Sequence, residues 1–136
     1  MTKFEIRENA PMTNVQMTKT GDIGNFDLEE RTALFGEKVI AFAKRVPRNE
    51  VTGVLVRQIV RSGTSIGANY CEANDAESKK DFRHKIGICR KESKETKHWI
   101  RMIVAAEPQL KEEGRVVWQE AKELNLIFGS ILRSGK

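Results

Sequence analysis

The chain is poor in the residues that most chemistries need. Its two cysteines, Cys71 and Cys89, stand in no CxxC or Cys/His spacing. Two reduced, buried thiols are therefore the expectation, not a disulfide framework or a metal site. Two histidines with ordinary neighbours offer no Ser/His/Asp or Cys/His arrangement for nucleophilic catalysis, and no cofactor motif is present. Aromatic residues make up only 7%, with no stacking series and no base-reading motif, so sequence-specific nucleic-acid recognition is not indicated. Nowhere do about 18 apolar residues run together, and the N-terminus lacks the apolar core of a signal peptide. A soluble cytoplasmic protein is expected. Three prolines in 136 residues leave long stretches free to be helical.

What is present is helical periodicity. Residues 1–25 are polar and non-periodic, and are read as a mobile N-terminal tail. Residues 26–134 carry four stripes and are read as one domain. Leu28, Phe35, Val39, Phe42 and Val46 step by 7-4-3-4, behind Asp27 and Glu30 as a capping pair, and Pro47 ends that helix. Val51, Leu55, Ile59, Ser62, Ile66, Asn69 and Ala73 define a second helix from near Glu50 to near Asn74. Phe82, Ile86, Cys89, Ser93, Thr96, Ile100 and Ile103 define a third, capped by Ser78 and Asp81. Pro108 and Gly114 mark the next connection, and Val117, Ala121, Leu124, Phe128 and Ile131 form a fourth. Four such stripes on short links predict an all-α, antiparallel up-down four-helix bundle.

The stretch from Arg57 to Arg101 departs from an ordinary bundle. Gly63 and Gly67 sit inside the second helix, where each glycine costs ~1 kcal/mol against alanine. Close approach by another helix would compensate. A phosphate-binding loop would need a Gly-Lys-Ser/Thr ending and a preceding strand, and neither is there. The apolar arc of this helix is also wide: Val56, Val60, Gly63, Gly67 and Tyr70 lie beside the main stripe. That second face implies a subunit interface, or else deeper burial within the chain's own bundle. On the third helix Ile88, Glu92, Glu95 and Trp99 cluster on one side, an arrangement suited to an interface anchored by Trp99.

Charge is concentrated on that same third helix. Residues 78–104 hold nine Lys or Arg against three Asp or Glu, a net of +6, while the other 109 residues sum to −1. Lys79, Arg83, Arg90, Lys94, Lys97 and Arg101 fall within an arc of about 60°, a basic ridge some six turns long. Such a ridge suits salt-sensitive contact with phosphates; its bland alternative is a solvated face. Glu95 and His98 have the Glu-x-x-His spacing of di-iron bundles, and Glu72 could approach from the second helix, but no second such motif completes a site.

Two segments resemble a known family. Gln58-Ile59-Val60-Arg61-Ser62-Gly63-Thr64-Ser65-Ile66-Gly67-Ala68-Asn69 with Glu72-Ala73 is one. Asp81-Phe82, then Lys91-Glu92-Ser93-Lys94-Glu95-Thr96 and Trp99, is the other. Together they resemble the signatures of the four helix bundle protein family, also called the ribosomal intervening-sequence protein or S23 family, over about residues 26–134. Its members are often encoded within insertions in bacterial large-subunit ribosomal RNA genes. The resemblance implies a bacterial four-helix bundle assembling into a ring-shaped homopentamer. It also implies kinship with the accessory variability determinant of diversity-generating retroelements, a basic pentamer that binds nucleic acid and a reverse transcriptase. Gly63 and Ser93 stand where alanine is common in the family, and His98 where an aromatic is common.

The expectation is a non-enzymatic, oligomeric protein that binds RNA or DNA without sequence specificity through Lys79, Arg83, Arg90, Lys94, Lys97 and Arg101. Val56, Val60, Gly63, Gly67, Tyr70, Ile88, Glu92 and Trp99 are the expected oligomer interface. The alternatives are a protein-interaction scaffold without nucleic acid, and a metal-dependent activity at Glu72, Glu95 and His98.

Overall fold

The computed structural model describes residues 23–134. Four helices follow one another: α1 (Ile23–Lys44), α2 (Glu50–Asn74), α3 (Lys79–Ala106) and α4 (Lys111–Ser134), with a 3-10 turn at Pro108–Leu110 leading into the last. No strand occurs among the described residues. The links are too short for anything but reversal, so each helix packs antiparallel on its neighbour in an all-α four-helix bundle. α2 lies between α1 and α3, and α3 between α2 and α4; the α1–α4 seam is the sparsest.

Local signals place the helix starts. Asn49 caps α2, its Oδ1 accepting from the Val51 and Thr52 amides at 2.9 Å, while Thr52 Oγ1 accepts from the Asn49 amide at 2.9 Å. This reciprocal box satisfies amides that have no intrahelical partner. Thr52 Oγ1 also donates to the Pro47 carbonyl at 2.6 Å, tying the cap to the preceding turn. Ser78 caps α3 through the Asp81 amide at 3.0 Å, as the sequence indicates.

Three starts and stops differ from expectation. α1 reaches back to Ile23, so Asp27 is inside the helix and does not begin it; its side chain, like residues 1–22 of the expected tail 1–25, lies outside the described residues. Val51 is exposed, and Thr52 takes the inward position at the start of α2, because at about 100° per residue Val51 falls roughly 80° from buried Ile59 and Thr52 only about 20°. Gly114 is a buried residue within α4 and not a connection. A Cβ there would stand 2.7 Å from Val104 Cγ2 and 3.4 Å from Ile100 Cγ2, so its bareness lets α3 and α4 meet.

The core matches the stripes closely. Leu28, Phe35, Val39, Phe42, Val46, Ile59, Ile66, Ile86, Cys89, Ile100, Ile103, Val117, Ala121, Leu124 and Phe128 are all buried. Each large apolar side chain so buried contributes roughly 1.5–3 kcal/mol before entropy is charged against it. Tyr70 from α2 meets Phe128 from α4 with ring centroids 6.3 Å apart, spanning the bundle. The buried hydroxyls are few and bonded. The Ser62 and Thr96 hydroxyls lie 2.8 Å apart across α2 and α3, and Thr96 Oγ1 is also 2.8 Å from the Glu92 carbonyl oxygen. Of the two thiols expected to be buried only Cys89 is, and Cys71 is exposed because it falls outside the inward stripe of α2; burial pushes the Cys89 thiol up to about 12, which makes it inert at neutral pH.

The glycine pair of α2 has its compensation within the chain. A Cβ on Gly63 would stand 2.7 and 2.8 Å from the two methyls of Val39, and one on Gly67 would be 3.3 Å from Thr32 Oγ1. α1 therefore sits against α2 at a distance only glycine permits.

Candidate nucleic-acid interface

The expected ridge residues do share a face of α3, but that face is not a free flank. It runs along the seam with α4. The Lys97 ammonium sits 5.2 Å from the centroid of the Trp118 ring of α4. The Asn125 side-chain amide of α4 donates to the Arg90 carbonyl at 2.8 Å. Arg83 is half-buried, and its Nη1 is buried without a hydrogen-bond partner. Lys79, Arg90, Lys94 and Arg101 are exposed.

α4 supplies a second basic row that the expected ridge does not include. At about 100° per residue, Lys111, Arg115, Trp118, Lys122, Gly129 and Arg133 share an arc of about 60°. The contacts of Trp118 with Lys97 and of Asn125 with Arg90 turn that arc towards the α3 ridge. Lys122 approaches the Trp118 ring as well, at 5.8 Å. Such contacts hold an ammonium to a half-buried indole by roughly 0.5–1 kcal/mol. The signal is present in the sequence, since 111, 115, 118, 122, 129 and 133 step by 4-3-4-7-4.

The acids of the same helices face elsewhere. On α4, Glu120 receives a bidentate pair from Arg31 of α1 at 2.7 and 3.0 Å, and Glu123 accepts from the same guanidinium at 2.9 Å. Glu113 pairs with Arg45 of α1. The hydrogen bond to Glu120 outweighs burial and holds the Arg31 guanidinium well above its ordinary range. On α3, Glu92 and Glu95 turn to Arg61 of α2, at 3.4 and 3.0 Å. Burial raises the Glu92 carboxyl above its usual range against the opposing pull of Arg61. Burial also acts on Glu95, but the Arg61 hydrogen bond and charge prevail and lower it. Five of the seven carboxylates on α3 and α4 are thus engaged at the other seams, while Asp81 and Glu112 are exposed and carry no ion pair.

The expected interface residues divide. Val56, Gly63 and Tyr70 are buried inside the single chain, so this part of the wide arc of α2 is covered within the chain itself. Glu92 is likewise buried, against Arg61. Val60, Gly67, Ile88 and Trp99 are half-buried. Trp99 Nε1 is buried and short of a full hydrogen bond, although the indole helps to hold Glu95 low.

The residues weighed for a metal are not brought together. Glu72 accepts from Lys85 at 2.6 Å, Glu95 binds Arg61, and His98 rests edge-on against Trp99 at 4.9 Å. Among the described residues no group of three or more His, Cys, Asp or Glu is placed to hold a metal. No described helix is long and apolar enough to cross a membrane.

Comparison with known proteins agrees with this architecture. A search of curated proteins finds no match. A crystal structure from Bacteroides thetaiotaomicron, of a protein with unknown function from the S23 ribosomal protein family, superposes with a TM-score of 0.73. It is 30% identical, and the match covers 80% of this chain and 97% of that one. The family model described as 23S rRNA-intervening sequence protein matches residues 25–130, essentially the whole bundle. By its heptad stripes, its glycine-spaced second helix and this match, the chain belongs to the 23S rRNA-intervening sequence protein family.

Proposed function

We propose that this protein binds nucleic acid, without sequence specificity, through the face formed by α3 and α4. The observation that carries the reading is the sorting of charge on these two helices. Arg90, Lys94, Lys97 and Arg101 on α3 and Lys111, Arg115, Lys122 and Arg133 on α4 have no ion-pair partner among the described residues. Of the acids on these helices, Glu92, Glu95, Glu113, Glu120 and Glu123 serve Arg31, Arg45 or Arg61, which leaves only Asp81 and Glu112 against the two rows. Two rows of uncompensated cations on adjacent helices cost self-repulsion. A polyphosphate backbone relieves that cost and gains from counterion release.

In the same reading the chain is non-enzymatic and works as an oligomer. The ring rests on the family resemblance, with Val60, Gly67, Ile88 and Trp99 as the residues left to meet another copy. Light scattering that gave a monomer would remove the ring and leave the basic face.

The test is binding of labelled RNA and DNA against salt. Changing Arg90, Lys94, Lys97 and Lys122 together to Glu should weaken both by at least about 100-fold. The slope of log affinity on log salt should flatten by roughly one for each phosphate no longer neutralised. Reversing Lys44 at the end of α1 and Arg48 in the link that follows should leave both unchanged. Binding that survives the four-fold reversal would sink the proposal in favour of a scaffold role.

A further inference from the structure

The α3–α4 face has more than charge. Trp118 lies in its middle, half-buried between the two rows, with Lys97 and Lys122 over its ring. Further along, Gly129 of α4 is buried beneath two guanidiniums that converge over it. Arg133 Nη1 lies 3.5 Å and Arg90 Nε 3.7 Å from the point where a Gly129 Cβ would stand. Both guanidiniums thus reach within 4 Å of one point, with no carboxylate paired to either among the described residues, and make a fork that one phosphate can bridge.

From this geometry we infer that the face takes an unpaired nucleic-acid strand in preference to a duplex, a base stacking on Trp118 and a phosphate seated between Arg90 and Arg133. The inference rests on the reading that the face binds nucleic acid at all.

Shape separates the two forms. A B-form major groove is about 12 Å wide and admits one helix. Two helices of about 10 Å diameter, packed side by side, present a face about 20 Å across, too broad to enter. A duplex can therefore meet this face only with its backbones, and its bases stay stacked away from the indole. An unpaired strand can lie along the seam with phosphates to both rows and a base turned inward. Trp118 and Gly129 are 11 residues apart on α4, about 16 Å along the axis, which suits a strand of a few nucleotides. The lysines do not block the ring, because each ammonium arrives on a flexible stem. A phosphate can draw either one aside and open a ring face to a base. Every base offers a π-face, so this grip needs no sequence, in keeping with the absence of a base-reading motif.

Fluorescence anisotropy with an unpaired oligonucleotide of about 16 residues, as DNA and as RNA, tests the inference against the same strand annealed to its complement. Heparin serves as a polyanion without bases. Either unpaired strand should bind at least about 5-fold tighter than its duplex. Trp118→Ala should weaken it by roughly 5- to 100-fold, the worth of one stacked base, and leave heparin within about 2-fold. Trp118→Phe should keep most of the affinity. In a Trp99→Phe background the emission belongs to Trp118, and unpaired strand should quench it where heparin does not. This readout stands even if Trp118→Ala does not fold. Equal affinity for strand and duplex, Trp118→Ala binding like the parent, or absent quenching overturns the inference while leaving the basic face intact. Failure of strand, duplex and heparin alike overturns the nucleic-acid reading instead.

Discussion

The two sides of α4 carry opposite charge and opposite roles. Towards α1, Glu113, Glu120 and Glu123 are held by Arg31 and Arg45. Towards α3, Lys122, Arg133 and their neighbours face more cations across the seam. The first seam is sparse and closes with ion pairs. The second is well packed, with Gly114 admitting Val104, and tolerates repulsion. The difference teaches that apolar packing, not charge, sets the rotation of α4. Buried Val117, Ala121, Leu124 and Phe128 fix which side faces inward, and the charges follow from that choice.

The largest effect should come from the paired side. Arg31→Met would leave Glu120, only 15% exposed, without its bidentate partner, and should cost about 2–4 kcal/mol in urea unfolding. Lys97→Met, on the other side, should change stability by no more than about 1 kcal/mol, since it removes one cation–π interaction together with some repulsion. Equal costs for the two would break the contrast between the seams.

The α1–α2 seam extends the comparison to close approach without charge. Gly63→Ala drives a methyl into Val39, and should cost about 1–3 kcal/mol of overpacking, offset by up to ~1 kcal/mol of helix propensity. Gly87→Ala on α3 meets nothing within 4 Å and should stabilise by about 0.5–1 kcal/mol. Melting temperatures of the two variants moving in the same direction would contradict the packing described for Gly63.

The smallest effect concerns pH at the α2–α3 seam. Glu92 is raised from 4.5 in the folded chain, so the native state holds its proton longer than the unfolded state. Its contribution is present below about 4.5 and is lost as pH rises through the raised value. Glu95 is lowered, so its contribution is present above 4.5 and is lost as pH falls through the lowered value. Glu92→Gln should therefore remove a loss of stability on the alkaline side of 4.5, and Glu95→Gln a loss on the acid side. Denaturation midpoints against pH, taken as differences from the parent, should show the two arms separately, each within about 1 kcal/mol.

Much of the bundle is legible in the sequence because a helix repeats its environment every 3.6 residues. The stripe from Ile86 to Ile103 is buried position for position between those ends, and the α3 ridge lies on one face as its spacing implies. What escapes periodicity is local or tertiary. Val51 fits the stripe of α2 by its step of four, yet two such steps in a row drift about 80° from Ile59 and carry it outward. Gly114 resembles a break, because glycine in a helix is explained only by what it touches. The second basic row is hidden because α4 holds four Lys or Arg and four Asp or Glu, a neutral sum that gives no warning of sorted faces. Periodicity shows that a helix has sides. Which neighbour each side meets is decided by the packing of the whole bundle, and that is why Trp118 and the Arg90–Arg133 fork emerge only from the structure.

The crowding of cations across the α3–α4 seam makes the fold itself a gauge of its ligand. A native state that works against its own charge is relieved by anything that screens or neutralises it. Added salt should therefore raise the melting temperature, where most proteins held by paired charges would lose a little. A bound polyanion should raise it further, by mass action on the folded state alone. A thermal shift screen of anionic polymers would then rank partners by charge spacing and flexibility before any is known by name.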